Sequence, residues 1–162
     1  NYPPLAESGV HLKVHNEYLL AKNKQKKLIV HKNLDTNVAI LKLFPGLNEN
    51  LLLSVLNTPN LKALIIETYG AGNAPTDKWL VDHLIKAKKN GIHIVNVTQC
   101  SGGSVIMGQY ETSEHLQNIQ VINGKDITTE AAITKLMYLL GMEVSPKLFK
   151  TIFETSLRGE MN

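Results

Sequence analysis

The stretch "LKALIIETYGAGNAPTDKW" (residues 61–79) decides the fold, because it changes from a strand pattern to a helix pattern across one short polar loop. Its first part is almost continuously apolar, which is typical of a strand buried on both faces of a parallel sheet. The run ends at Gly70 and Gly72, and Thr76 and Asp77 then provide a helix-start signal. A buried strand, a glycine loop and a helix together predict one unit of an alternating α/β fold.

The same alternation continues through the rest of the chain. Near-continuous apolar runs predict strands over residues 37–46, 61–70 and 92–100. Amphipathic patterns predict helices over residues 48–60, 77–91, 126–142 and 145–157, and a loop, short helix and brief strand over 104–124. These elements predict an α/β, three-layer domain, in which a small parallel sheet is flanked by helices in a Rossmann-like or flavodoxin-like manner.

The first 36 residues differ from this pattern and are predicted to form an interdomain linker and a β-hairpin. Short extended segments at residues 10–15 and 26–31 flank a lysine-rich turn, which predicts the two hairpin strands. The chain starts with "NYPPLAESG", without an initiator methionine and with two prolines that favour extended backbone. This start indicates either a domain that follows something upstream or a processed terminus. The α/β domain itself is predicted over residues 37–162.

The composition is typical of soluble globular proteins. Of the 162 residues, 43% are hydrophobic and 19% are charged, and no apolar run is long enough to suggest a membrane partner. The lysines of residues 22–27 have no aromatic residues between them, so a nucleic-acid partner is not expected. The single cysteine, Cys100, excludes an internal disulfide and suits a reducing compartment.

Polar residues gather where two successive predicted strands end. The turns "ETYGAGNAPT" (67–76) and "VTQCSGGS" (97–104) contain glycines, which allow the backbone to approach a ligand closely. Ligands of open parallel sheets bind at this carboxyl edge. Besides the carboxylate of Glu67, the turns carry hydroxyl and carboxamide side chains: Thr68, Tyr69, Asn73, Thr98, Gln99 and Ser101. This set suits a small polar ligand with amide, amine and carboxylate groups better than a polyanion.

Each of these features also has a purely structural explanation. Gly70 and Gly72 can serve turn geometry alone, and Asn73 can satisfy local backbone groups. A dinucleotide site is not expected, because Pro75 lies close to where the third glycine of the fingerprint belongs. Cys100 is most simply a small buried hydrophobe. The six histidines are dispersed without metal-site spacing and no nucleophile elbow is present, so the residues alone indicate no catalytic machinery.

Four segments resemble the carboxyl-terminal domain of cytoplasmic (type I) bacterial L-asparaginases. They are "IIETYGAGNAP", "GIHIVNVTQCSGGSVIMGQY", "GKDITTEAAITKLMYLLG" and "SLRGEMN", which follow in the family's order across nearly the whole chain. The resemblance implies a cytoplasmic amidohydrolase that converts L-asparagine to L-aspartate and ammonia without metal or cofactor. It places the threonine nucleophile in a "TGGT" motif of a preceding domain. That motif does not occur here, so no catalytic residue is expected in this chain and no activity from it alone.

The resemblance also implies that this domain completes the substrate site of a neighbouring subunit in a homodimer or tetramer. Asn73, in "GAGN", matches the family position that reaches into the partner's pocket and helps to hold the amino and carboxylate ends of asparagine. Thr68 and Tyr69 would support this loop, and Tyr110 would lie near it. A carboxamide carries both donors and an acceptor, which suits it to hold both ends of an amino acid.

Some type I enzymes bind asparagine at a separate regulatory pocket, and the resemblance extends to part of it. Thr98, Gln99 and Cys100 match one turn of that pocket, and Thr129 matches the start of a helix beside it. Glu67 differs, because it stands where the regulated enzyme has an arginine that pairs with the ligand carboxylate. A carboxylate there would repel the ligand and remove a bond worth about 1.5–3 kcal/mol.

Two other functions remain open. The amidase subunit of the archaeal-type tRNA-dependent amidotransferase shares the fold and would be distinguished by a tRNA partner. A non-catalytic sensor domain would bind a small amino acid at the two strand-end turns without any partner subunit. Binding of asparagine to the isolated chain in a calorimeter would favour the sensor, whereas no binding would fit a site that needs two subunits.

Overall fold

Strands and helices alternate along the chain as the sequence predicts. The computed structural model describes residues 4–21, 27–108 and 111–162, and only the backbone of residues 111 and 112. The strands are β1 (Ala6–Ser8), β2 (Leu12–Val14), β3 (Val38–Lys42), β4 (Ala63–Thr68), β5 (His93–Thr98) and β6 (Ile122–Asn123). The helices are α1 (Glu49–Leu56), α2 (Lys78–Lys89), α3 (Glu111–Asn118), α4 (Thr129–Gly141) and α5 (Pro146–Phe153). None of these described helices is long and apolar enough to cross a lipid bilayer.

The main sheet is parallel, with the strand order β3-β4-β5-β6. The central strands β4 and β5 are buried on both faces and stay in register up to Thr68 beside Thr98. β3 lies at one edge of the sheet, where Lys42 pairs with Glu67. Because the four strands run in the same direction, their carboxyl ends lie along one edge of the sheet.

A hydrophobic core covers each face of this sheet. One core contains Leu64 and Ile66 of β4 together with Leu84 of α2, and the other contains Ile65 together with Leu136 of α4. Each of these side chains is at most 1% exposed, and burying one stabilises the fold by about 1.5–3 kcal/mol. The predicted three-layer α/β architecture is therefore confirmed.

Local capping signals explain where the helices begin and end. The side chain of Asn48 accepts a hydrogen bond of 3.0 Å from the backbone N–H of Leu51, which confirms Asn48 as the predicted cap of α1. Thr128 accepts a bond of 3.2 Å from the N–H of Ala131, so α4 begins later than its predicted start at residue 126. Gly91 follows α2 with a φ of +87°, the left-handed conformation in which helices commonly end.

An N-terminal hairpin forms, and β2 lies within the strand predicted over residues 10–15. The strand predicted over residues 26–31 is wrong, because the described part of it, residues 27–31, is not a strand. β1 and β2 pair antiparallel through residues 6–8 and 12–14, with Gly9 in the turn between them. Residues 27–37 contain no strand, and there the N–H of Asp35 donates to the carbonyl of Met137 in α4 at 3.0 Å. Contacts with α4 therefore take the place of the predicted strand pairing. Most of the lysine-rich turn, residues 22–26, lies outside the described residues.

Candidate functional site

The two glycine turns lie side by side at the carboxyl edge of the sheet. β4 and β5 end in register, and just beyond them the N–H of Gln99 donates to the carbonyl of Thr68 at 2.9 Å. Thr98 Oγ1 donates to the carbonyl of Gly70 at 2.5 Å, which joins the second turn to the first. The fold thus brings together polar residues that lie about thirty positions apart in the sequence, as the parallel arrangement of the strands predicts.

The segment of residues 69–75, here called the Asn73 loop, folds back on itself in a tight turn. Tyr69 and Asn73 exchange two backbone hydrogen bonds of 2.9 and 2.8 Å. Gly70 and Gly72 have φ values of +51° and +103°, which residues with side chains rarely adopt. The turn holds Asn73 past the end of β4, where the residue is only partly buried. The turn therefore fixes Asn73 at the carboxyl edge of the sheet.

A buried asparagine, Asn96 of β5, holds the Asn73 loop onto the sheet. Its amide nitrogen donates to the carbonyl of Gly72 at 3.1 Å, and its amide oxygen accepts from Thr68 Oγ1 at 2.6 Å. Asn96 and Thr68 are fully buried, so both need these hydrogen bonds. Asn96 was not among the predicted site residues. The available signal was a single amide within the apolar run "IHIVNV", because a buried strand tolerates such a group only with partners.

The four residues expected at the substrate site have different surroundings. Asn73 is partly buried and has interactions of its own. Tyr69 is partly buried and packs against the core on the α2 side of the sheet. Thr68 has no exposed surface, so its hydroxyl supports the loop through Asn96 rather than facing a ligand. Tyr110 lies outside the residues that the structure describes.

The other five predicted residues line one pocket of about 230 Å³, here called the Glu67 pocket. They are Glu67, Thr98, Gln99, Cys100 and Thr129. Thr129 Oγ1 donates to a carboxylate oxygen of Glu67 at 2.6 Å. Gln99 Nε2 donates to the carbonyls of Leu43 and Glu67 at 2.7 and 2.8 Å, which fixes the orientation of its amide. The pocket has room for a molecule of amino-acid size and offers it fixed polar groups.

Two charged residues without a predicted role also line the Glu67 pocket, namely Lys42 and Glu130. Lys42 pairs with Glu67 across β3 and β4, so both side chains project from the same face of the sheet. Lys42 therefore adds a positive charge to the lining that also contains the carboxylate of Glu67. The strand register brings the two charges together, and no local sequence pattern indicates it because the residues lie on different strands.

Cys100 contributes an exposed thiol at the rim of this edge. Its interpretation as a small buried hydrophobe is therefore wrong. The backbone N–H of Cys100 donates to Thr98 Oγ1 at 3.0 Å, which keeps the turn closed after β5. Within the described ranges, no group of three or more His, Cys, Asp or Glu side chains is placed to hold a metal ion.

The fold defines a class of protein: an α/β domain with a parallel sheet, whose candidate site lies on the loops after two neighbouring strands. Residues 37–153 match the family described as Glutaminase/Asparaginase C-terminal domain, and the chain belongs to this family. The resemblance seen in the sequence is thereby confirmed.

The chain is similar to known proteins over part of their length. It is 38% identical over 161 residues to L-asparaginase 1 of Escherichia coli, covering 99% of this chain and 47% of that protein. It is 32% identical over 163 residues to one subunit of the Glutamyl-tRNA(Gln) amidotransferase of Methanobrevibacter smithii, and the match covers 100% of this chain and 37% of that subunit. The crystal structure of L-asparaginase I from Vibrio cholerae matches with a TM-score of 0.91 at 33% identity. This match covers 100% of the present chain and 48% of the Vibrio cholerae chain. The chain therefore spans about half the length of these two asparaginases.

Proposed function

We propose that this chain is the carboxyl-terminal domain of a cytoplasmic L-asparaginase, an amidohydrolase that converts L-asparagine to L-aspartate and ammonia. The observation that carries the proposal is the Asn73 loop, a glycine turn that fixes Asn73, a carboxamide residue, at the carboxyl edge of the sheet. A turn of this kind can form from its own backbone bonds, yet here a buried Asn96 also anchors it to the sheet. The family to which the chain belongs supports the same assignment.

Asn73 acts across a subunit interface in this proposal. It reaches the substrate pocket that the preceding domain of a neighbouring subunit forms within a homodimer or tetramer. Its amide nitrogen can donate to the carboxylate of asparagine, and its amide oxygen can accept from the ammonium group. These contacts position the substrate and do not take part in bond making. No catalytic residue is assigned to this chain, and the isolated chain should not hydrolyse asparagine.

The bond-making steps belong to the preceding domain. A threonine hydroxyl attacks the side-chain amide carbon of asparagine, and the tetrahedral intermediate expels ammonia to leave an ester. Water then attacks the ester, which releases L-aspartate and returns the proton to the threonine oxygen. Donors in the same domain hold the oxyanion at each stage. Asn73 contributes by keeping the amino-acid end of the substrate fixed, so that the amide carbon stays in line for attack.

We also propose a regulatory role for the Glu67 pocket, with asparagine as its ligand. The carboxylate of Glu67 suits the ammonium group of an amino acid, and Lys42 suits its carboxylate. The two charges would orient asparagine in place of the arginine that the regulated family members carry. In the full-length protein, Lys42→Gln should make the dependence of the hydrolysis rate on asparagine concentration less sigmoidal. Activation that persists in Lys42→Gln would show that this pocket does not carry it.

Replacing Asn73 with alanine in the full-length protein tests the substrate assignment. Each lost hydrogen bond to a charged substrate group is worth about 1.5–3 kcal/mol, so kcat/KM should fall at least about tenfold. Ammonia released from L-asparagine measures the effect. Asn50→Ala, on the exposed surface of α1, is the matched control and should keep wild-type kinetics. Unchanged kinetics in Asn73→Ala would remove Asn73 from the substrate site.

A second candidate is the amidase subunit of a tRNA-dependent amidotransferase, which the similarity to the archaeal amidotransferase favours. Such an amidase would release ammonia for transfer only in the presence of its charged tRNA. An asparaginase would hydrolyse free asparagine without tRNA. A third candidate, the sensor domain, would bind asparagine without hydrolysing it. Because the Glu67 pocket also lies within this chain, ammonia release by the full-length protein, rather than binding to the isolated chain, separates the sensor from an asparaginase.

A further inference from the structure

A second pocket lies at the opposite edge of the sheet from the Asn73 loop. This pocket, of about 500 Å³, lies at the amino ends of β5 and β6, between the end of α2 and the first turns of α5. Its polar lining includes Lys88, His93, Lys147, Lys150, Thr151 and Glu154, and we call it the lysine pocket. It shares no lining residue with the Glu67 pocket.

Positive charge exceeds negative charge in the lysine pocket. Three lysines line it, and Glu154 is the one carboxylate among its lining residues. Glu154 Oε1 lies 3.7 Å from Lys150 Nζ and also accepts a hydrogen bond of 2.8 Å from the N–H of Asn123. Lys147 is exposed and has no ion-pair partner among the described residues. One shared carboxylate thus leaves most of the positive charge uncompensated.

The lysines also raise the electrostatic potential at one another. Burial, and then the charge of Lys150, lower the pKa of the Lys88 ammonium. Burial, and then the charge of Lys88, lower the pKa of the His93 imidazole. His93 is held in place by stacking on Phe149, with the ring centroids 3.7 Å apart. A negatively charged ligand in this pocket would oppose the smaller, charge-repulsion part of these pKa shifts, which adds to the larger effect of burial.

Hydrogen bonds from lysine side chains to backbone carbonyls explain only part of why these lysines lie together. Lys88 Nζ donates to the carbonyls of Ile119 and Gln120, and Lys150 Nζ donates to the carbonyl of Val121 at 3.3 Å. These bonds tie α2 and α5 to the segment that leads into β6. They do not account for Lys147, nor for an open space beside the lysines that is large enough for a small molecule.

We propose that the lysine pocket binds a small anion of the phosphate class, with two linked phosphate groups as the best match. Lys147 and Lys150 supply ammonium groups, and the exposed hydroxyl of Thr151, one helical position further on, can donate to a phosphate oxygen. The lysines of the pocket lie on two helices, Lys88 on α2 and Lys147 and Lys150 on α5. A diphosphate can therefore place one charged group near each helix. Inorganic pyrophosphate and the diphosphate of a nucleotide share this chemistry.

Titration of the full chain with inorganic pyrophosphate at constant ionic strength tests the proposal. Calorimetry should detect binding, and the His93 imidazole resonances should show a rise in the pKa of His93 as the site fills. Lys147→Gln combined with Lys150→Gln should weaken binding at least about tenfold, because two charge-assisted hydrogen bonds are lost. Lys89→Gln, exposed on α2 and outside the pocket, is the matched control and should bind as the wild type does.

Each outcome decides the proposal. No binding of pyrophosphate, or equal loss in the Lys89→Gln control, would overturn it. An unshifted pKa of His93 upon binding would place the anion elsewhere on the surface and would also overturn it. Tighter binding of a nucleoside diphosphate than of pyrophosphate would support the proposal and identify the nucleotide as the source of the diphosphate. Because the readout is direct binding, the result is independent of asparagine hydrolysis.

Discussion

Replacing Gly72 with alanine should destabilise the protein and displace the Asn73 loop. Gly72 has a φ of +103°, and a Cβ built there lies 2.7 Å from Val105 Cγ1 and 3.2 Å from Asn96 Nδ2. Val105 and Asn96 are both buried, so neither side chain has room to move away from a new methyl group. The glycine is therefore required twice, once by the backbone conformation and once by the close packing beneath the loop.

Two contributions set the size of the effect. A left-handed backbone costs a residue with a side chain about 1–2 kcal/mol. Forcing a methyl group into packed surroundings costs typically about 1–3 kcal/mol. The free energy of unfolding of Gly72→Ala should therefore fall by about 2–5 kcal/mol, which is large for one methyl group. The proposed role of Asn73 also implies that the full-length Gly72→Ala variant has a higher KM for asparagine, because Asn73 moves with the loop.

Gly46→Ala is the matched control, because Gly46 has a φ of +95° but nothing within 4 Å of a built Cβ. It should lose only the backbone contribution, about 1–2 kcal/mol. Urea titration measures both variants, and an unchanged m-value shows that only stability has changed. Equal losses in Gly72→Ala and Gly46→Ala would refute the close packing described between the Asn73 loop, Val105 and Asn96.

Two further predictions concern ionisable groups. Burial alone would raise the pKa of the Glu160 carboxyl, but hydrogen bonds from Lys135 and from backbone N–H groups lower it to about 2. This lowered pKa adds up to about 3 kcal/mol to the free energy of unfolding. The contribution should be fully present above pH 4.5 and be lost as the pH falls toward 2. Glu160→Gln should lose less stability over the same pH range. Burial and the charge of Lys88 lower the pKa of His93, so the wild type should lose stability as the pH falls below 6.5, and His93→Gln should lose less. Urea midpoints measured across this pH range check both.

Matched variants make these two measurements decisive. Glu114→Gln and His11→Gln change exposed residues of the same types and should leave both pH slopes unaltered. An acid slope that survives in Glu160→Gln would contradict the assignment of that stability to the Lys135–Glu160 pair. Equal slopes for the wild type and His93→Gln between about pH 5 and 7 would show that His93 titrates as it does in the unfolded chain.

The layered core was predictable because its signals are local. The run over residues 61–70 is apolar on both sides of the strand, and that pattern alone requires helices on both faces of the sheet. Asn48 and Gly91 marked helix ends through their own backbone and side-chain chemistry. The meeting of the two glycine turns also followed from the sequence, because parallel strands end at the same edge.

Contacts that depend on register or on distant partners were not predictable from the sequence. Lys42 faces Glu67 only because β3 and β4 pair in one particular register. In the sequence, Asn96 is an isolated polar residue within an apolar strand. Its role is visible only in the structure, where it hydrogen-bonds to Gly72 and Thr68. The partner of the strand over residues 10–15 was misplaced for a related reason: every residue of β1 and β2 is exposed, so no buried face specifies their pairing.

The central claim is that Asn73 works in the substrate site of a neighbouring subunit, and mixing two impaired full-length variants tests it most directly. One variant is Asn73→Ala, and the other lacks the nucleophilic threonine of the preceding domain. In a mixed dimer, one site combines the intact threonine of the first variant with the intact Asn73 of the second. Mixing should therefore restore activity, to about a quarter of the wild-type level after random reassociation. Activity that stays at the average of the two separate variants would contradict the claim.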